Sequence, residues 1–248
     1  MPGVLTCILV GFLAQLIDGA LGMAYGVTCT TFLMTFGLAP ALASASVKTS
    51  EIFTTAVSGL SHLRLGNVDR QLFLKLCLPG IIGGVLGAFA LTHLSGEKMK
   101  PFVAGYLLLM GVVIIAKGWK PSLKVEATRE KTVLLAFIGG LMDAIGGGGW
   151  GPIVATTLIA RGREPRMAIG SVNLAEFFVT SAQMATFVAF LGLKNLEVVV
   201  GLVLGGIIAA PLAAYVCRHL PARLLMNMVG VLIILLSLRI LLKVAGIT

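Results

Sequence analysis

The sequence predicts an all-α integral membrane protein of two fused homologous repeats in inverted orientation. Each repeat is a broken, re-entrant helical hairpin followed by three transmembrane helices. Three observations predict this: an apolar composition, a duplication at a fixed spacing, and a glycine-rich interruption early in each half.

Of 248 residues, 58% are hydrophobic and 12% charged, and the mean hydropathy is +1.02. Soluble domains carry roughly 25% charged residues. Residues 19–47, 76–96, 177–193 and 198–217 each lack Asp, Glu, Lys and Arg. Apolar stretches of about 17–25 residues can cross a hydrocarbon core. Lipid offers no hydrogen-bond partners, so these stretches must be helical. The alternating strands of an outer-membrane barrel are absent. The net charge of +9 sits largely in short loops between apolar runs, a positive-inside pattern rather than a nucleic-acid groove. Cys7, Cys29, Cys77 and Cys217 are far apart in apolar context, which suggests neither a disulfide framework nor a zinc site. The first apolar run lacks the basic flank and small-residue cleavage site of a signal peptide and is expected to be retained.

A shift of 125 residues aligns the two halves without a gap from Asp18/Asp143 to Thr55/Thr180. Gly22 falls on Gly147, Tyr25 on Trp150, Gly26 on Gly151, Pro40 on Pro165, Ser46 on Ser171 and Glu51 on Glu176. With one residue of adjustment, Gly80 meets Gly206 and His93 meets His219. The expected organisation is a first repeat over 1–118, a cytoplasmic linker over 119–131 and a second repeat over 132–248.

Each half opens with an interrupted segment. In the second, Leu141 to Leu158 reads LMDAIGGGGWGPIVATTL. Each glycine costs a helix about 1 kcal/mol against Ala, whereas Pro152 suits the first turn of a new helix. Two half-helices joined by a glycine loop are expected. Asp18 to Gly26 is the milder version, with Leu21, Met23 and Ala24 where the second half has Gly146, Gly148 and Gly149. Uninterrupted spans are expected near 44–63, 71–93, 101–118, 168–190, 197–217 and 223–243.

Basic residues choose between a break that doubles back and one that crosses. If it doubles back, the halves are inverted, and Lys/Arg divide 13 inside to 5 outside. If it crosses once, Arg161, Arg163, Arg166, Arg218 and Arg223 move outside and the division falls to 11 against 7. The positive-inside rule favours inversion.

Ser44, Lys48, Glu51, Thr55, Ser58 and His62 form one helical stripe about 27 Å long, close to the apolar depth of a bilayer. Its counterpart is Asn173, Glu176, Thr180 and Gln183. Ionisable groups within the membrane normally face a cavity or a partner. The stripes read as a path lined from both halves. Alternatively, Lys48 and Glu51 merely neutralise each other inside the bundle. Glu176 has no basic residue within four positions, which points to substrate or proton handling.

The glycine breaks also have two readings. Backbone N–H groups at a half-helix N-terminus make a ready anion site, and small residues also allow helices to pack closely. Asp18 and Asp143 either cap the loop's own N–H groups or titrate during transport. Tyr25 and Trp150 either line the site or plug the junction between the half-helices.

The fused duplication, the breaks Asp18–Gly26 and Asp143–Gly151, and the sequences VKTSEIF at 47–53 and SVNLAEFF at 171–178 resemble the TauE/SafE family of sulfite and sulfonate exporters. The resemblance implies a multi-pass carrier in the cytoplasmic membrane of a prokaryote, moving sulfite, a sulfonate such as sulfoacetate, or thiosulfate. The expected substrate-binding residues are Lys48, Asn173, Glu51, Glu176, Tyr25, Gly22, Gly26, Gly147, Gly148, Gly149, Trp150 and Gly151. The expected coupling groups are Glu176, Glu51, Asp18 and Asp143. Expected partners are a small anionic substrate, the lipid bilayer, a coupling proton and a second copy of the chain, with no nucleic acid, cofactor or metal. The spans contain no HExxH, GxSxG or Ser/His/Asp set, so no enzymatic activity is expected. The rival reading is a cation or metal permease using the same four carboxylates.

Overall fold

A computed structural model describes residues 2–21, 23–119, 129–161, 163–219 and 222–247. Every regular element among them is helical. The first half holds α1 (Val4–Leu21), α2 (Tyr25–Thr35), α3 (Pro40–Arg64), α4 (Arg70–His93) and α5 (Gly96–Trp119). The second holds α6 (Arg129–Gly146), a π-helical turn (Trp150–Ala155), α7 (Thr156–Ala160), α8 (Pro165–Leu191), α9 (Leu196–His219) and α10 (Ala222–Val244).

Local chemistry sets these boundaries. Pro40 and Pro165 occupy the first turns of α3 and α8, where a missing N–H costs nothing. α3 therefore starts one turn before its polar stripe, and α8 about two turns before its own. Asp69 caps α4 by accepting the N–H groups of Gln71 and Leu72.

Among the described residues, four helical stretches are long and apolar enough to cross a membrane: Arg70–His93, Lys98–Trp119, Met167–Leu191 and Met226–Val244. α3 is long enough but carries the stripe of Ser44, Lys48, Glu51 and Thr55, which are buried inside the molecule. Leu5, Leu74, Leu78 and Leu235 point outward from other helices, an apolar exterior suited to lipid.

The helices pair across the two halves. α1 lies on α9, α4 on α6 and α8, α3 on α8, and α5 on α10. Glycines let the backbones meet: a Cβ on Gly83 would sit 2.1 Å from the Phe137 carbonyl oxygen, and one on Gly205 2.0 Å from that of Ile8. The order of such contacts gives the helix directions. Gly83 meets Phe137 and Gly87 meets Leu141, so α4 and α6 are parallel. Gly201 meets Cys7 and Gly205 meets Phe12, so α1 and α9 are parallel too. Gly111 meets Ile234 and Gly118 meets Met226, so α5 and α10 are antiparallel. Gly59 meets Leu174 and Gly170 meets Asn67, so α3 and its neighbouring loop run antiparallel to α8.

Candidate functional site

The two interrupted segments meet at the centre of the molecule. A Cβ on Gly26 would lie 2.7 Å from the Gly147 carbonyl oxygen, and one on Gly148 2.1 Å from the Val27 nitrogen. Side chains from elsewhere pin the second break. Thr30 Oγ1 donates to the Gly147 carbonyl at 2.7 Å, Ser44 Oγ to that of Ala144 at 2.7 Å, and Tyr106 Oη to that of Gly148 at 3.0 Å. Gly147 has φ +68°, which glycine adopts without strain. In the first half Ala24 has φ +97°, a left-handed conformation that opposes an alanine side chain.

The aspartates before the breaks do equivalent work. Asp18 Oδ1 accepts the Tyr25 N–H at 3.2 Å, and Asp143 Oδ1 accepts the Trp150 N–H at 3.1 Å. Each bond closes the loop that interrupts the helix and satisfies the first donor of the following half-helix. The two aromatic residues are also placed alike. Tyr25 Oη lies 3.1 Å from Ser50 Oγ on α3, and Trp150 Nε1 donates to the Val172 carbonyl on α8 at 3.1 Å. Both rings are buried, and Trp150 packs in an apolar cluster with Leu76, Val154 and Val179.

Lys48 joins the halves. Its Nζ lies 2.5 Å from Glu51 Oε2 on its own helix and 2.8 Å from Asp143 Oδ2 of the second break. Its side chain is wholly excluded from solvent (0% exposed). Gln183 Nε2 completes the environment of Asp143, donating to Oδ2 at 3.0 Å and to the Gly140 carbonyl at 3.2 Å. The pairing of Lys48 with Glu51 is therefore present, and the cation also holds a carboxylate from the opposite half.

A small pocket opens beside this group, with about 10 Å³ of room for water centres, roughly one water molecule. The predicted residues Asp18, Tyr25, Gly26, Glu51, Asp143, Gly148, Gly149, Gly151 and Glu176 line it. It lies at the N-terminal ends of α2 and of the π-helical turn, where the helix dipoles favour an anion. Lys48 stands behind Glu51 and Asp143 rather than on its wall. Gly147, Trp150 and Asn173 do not line it either, although Trp150 and Asn173 are buried nearby on the same elements. Gly22 lies outside the described residues. Among the described residues, Glu176 has no basic side chain within ion-pair distance, and no group of three or more His, Cys, Asp or Glu is placed to hold a metal.

Thr30 and Tyr106 were not singled out by sequence. Tyr106 lies in a uniformly apolar span with no second-half counterpart to flag it. Thr30 belongs to a Thr-Cys-Thr-Thr run, a faint polar signal just after the first break.

Residues 7–240 match the family described as "Sulfite exporter TauE/SafE". The chain belongs to this family. It is also 43% identical to the probable membrane transporter protein YtnM of Bacillus subtilis (strain 168), over 94% of this chain and 81% of that protein. No solved structure matches it. This TauE/SafE chain is a multi-pass membrane transporter, and the paired breaks and carboxylate-rich pocket at its centre are its candidate transport site.

Proposed function

We propose that this TauE/SafE protein moves a small sulfur-containing oxyanion across the cytoplasmic membrane of a prokaryote by alternating access, coupled to a proton. Sulfite, a sulfonate such as sulfoacetate, and thiosulfate are the candidate substrates. The observation that carries the reading is the pocket between the two half-helix N-termini, with the buried Lys48 directly behind it. The pocket has room for about one water molecule and must widen to take an oxyanion of several heavy atoms.

The arrangement gives the coupling a physical basis. Lys48 is held by two carboxylates, and an oxyanion can take the lysine only if one of them lets go. A proton on Glu51 or Asp143 releases the lysine, so proton and anion bind together. Glu176 lines the same pocket with no basic partner among the described residues, and it is the group placed to pass the proton on. Four carboxylates against one lysine make a proton the natural balancing ion in a medium where uncompensated charge is costly.

The reading includes two inverted repeats with re-entrant breaks, six full spans and a cytoplasmic linker. Two kinds of contact support it. The equivalent helices α3 and α8, and likewise α5 and α10, lie antiparallel. Asp69, in the loop after α3, meets both Arg163, in the loop leading into α8, and Ser171, in the second turn of α8. Those loops share one end in the inverted arrangement and fall on opposite ends if each break crosses once. Cysteines at 98 and 163, labelled with a membrane-impermeant reagent, must react from opposite sides; labelling from one side sinks the inverted topology.

The transport test is uptake of labelled sulfite into proteoliposomes under an imposed pH gradient. Saturable, gradient-dependent flux that Lys48→Ala and Glu176→Gln both abolish is the expected result. Flux that persists in both variants removes the site, and no flux above empty liposomes removes sulfite. The carboxylate-rich wall is also the feature a cation permease would show. Divalent metals that compete where oxyanions do not would favour that second reading.

A further inference from the structure

The α3–α8 pair ends in two places built from duplicated parts, and the two ends differ. At the end carrying Arg64, Arg70 and Arg163, the N–H of Asp69 donates to Ser171 Oγ at 2.8 Å, and Asp69 Oδ2 lies 3.6 Å from Arg163 Nη1. Gly170 permits this closeness, since a Cβ there would sit 2.0 Å from the Asn67 carbonyl oxygen.

The repeat puts the same parts at the opposite end. α9 begins at Leu196 as α4 begins at Arg70, so Asn195 stands where Asp69 does. Ser46 corresponds to Ser171, and Ala45 to Gly170. Both serines donate to the carbonyl four residues back, Ser46 to Leu42 and Ser171 to Met167. Among the described residues, Ser171 also accepts an N–H from the neighbouring loop and Ser46 does not. At the Ser46 end a cleft opens instead, lined by Ala45, Ser46, Thr49, Gly192, Lys194 and Asn195. Asn195 Nδ2 is buried there without a partner among the described residues. The methyl of Ala45 occupies the space that Gly170 leaves for a backbone.

We propose that these two ends are the gates of the transport path, latched at Asp69–Ser171 and open at Ser46–Asn195, and that the open cleft is where the anion is first received. Lys194 supplies positive charge at its mouth, and the Asn195 amide supplies a donor. Turning the carrier around breaks the bond between Asp69 N–H and Ser171 and narrows the Ser46 cleft, where the Ala45 methyl keeps the loop from coming as close to Ser46 as Asp69 comes to Ser171. The exposed, screened Asp69–Arg163 pair tips the balance only slightly towards the state seen here. The proposal rests on reading the α3 and α8 stripes as the path.

The test uses a cysteine-free full-length protein in proteoliposomes carrying Thr49→Cys in the cleft or Leu174→Cys at the equivalent place beyond the latch. A membrane-impermeant maleimide applied to each face reads the gates without any substrate. The expected result is labelling at 49 several-fold faster than at 174. Ser171→Ala and Gly170→Ala should each raise labelling at 174 and slow it at 49, whereas Ala45→Gly should slow it at 49. Ser171→Thr keeps the hydroxyl and should behave as the parent, which separates a latch from a general folding defect. Equal labelling at both sites in the parent overturns the proposal. So does a rise at 174 with no fall at 49, because the ends would then open independently. Oxyanion flux without this asymmetry would leave the transport reading standing, and alternation without flux would leave the gates standing and remove the substrate.

Discussion

Lys48 on α3 and Asp143 at the end of α6 form an ion pair 2.8 Å long between positions 95 apart in sequence, and it ties the stripe of one half to the break of the other. Glu51 shares the same ammonium, so two buried carboxylates depend on a single cation.

Removing that cation should therefore cost more than losing one contact. Truncating one partner of a buried ion pair typically costs about 3–5 kcal/mol, because the charge left behind is uncompensated. Lys48→Ala is expected to lower the unfolding midpoint in detergent strongly, and Lys48→Met combined with Asp143→Asn should recover much of the loss. A double variant no more stable than Lys48→Ala would show that the pair is not the source of the effect.

The two capping aspartates should separate under conservative substitution. An asparagine keeps the oxygen that accepts the Tyr25 or Trp150 N–H but carries no charge. Asp18→Asn is expected to be nearly as stable as the parent, whereas Asp143→Asn also loses its pair with Lys48. Asp18→Ala should then fall about 1 kcal/mol below Asp18→Asn, the usual worth of a helix cap. Thermal unfolding of the three variants in one detergent decides this, and equal losses for both asparagines would refute it.

The contact between the breaks leaves no room for a methyl group at Gly148, where a Cβ would meet the Val27 nitrogen at 2.1 Å. Gly148→Ala should abolish transport or prevent assembly. Gly105→Ala on α5 meets nothing within 4 Å and should be neutral or gain up to about 1 kcal/mol from helix propensity. Equal expression and flux for both variants would sink the close-contact account.

Ala24 offers the opposite experiment. Its φ of +97° carries a left-handed strain of about 1–2 kcal/mol that glycine avoids. Ala24→Gly gives some of this back as extra freedom in the unfolded chain, so a gain of about 1 kcal/mol is expected. A lower unfolding midpoint would mean that the methyl group is needed for packing.

Much of this was legible before the structure. The spacing of 125 exposed the duplication, and glycine and proline marked the breaks. The i, i+3, i+4 rhythm placed Lys48, Glu51 and Glu176 on inward faces, and Asp18 and Asp143 stood where caps belong. Lys48's second partner was not legible, because Asp143 reaches it only after the halves pack and no local pattern records a contact over 95 positions. Thr30 and Tyr106 were missed for the same reason: each holds a backbone carbonyl of the other half. The expected starts near 44 and 168 fall a few residues after Pro40 and Pro165, which open the two helices. The difference between the two ends of the α3–α8 pair was hidden in pairs such as Gly170 and Ala45, which look interchangeable until their neighbours are known.

Each half has riveted its break to the helix that follows, through Tyr25 to Ser50 on α3 and through Trp150 to Val172 on α8. A tilt of α8 must carry Val172 with it, and the indole transmits that displacement to the mouth of the second half-helix. On the proposed alternating-access reading the long helix is a lever whose short arm ends at the indole, beside the pocket, and a site driven in this way needs no hinge of its own.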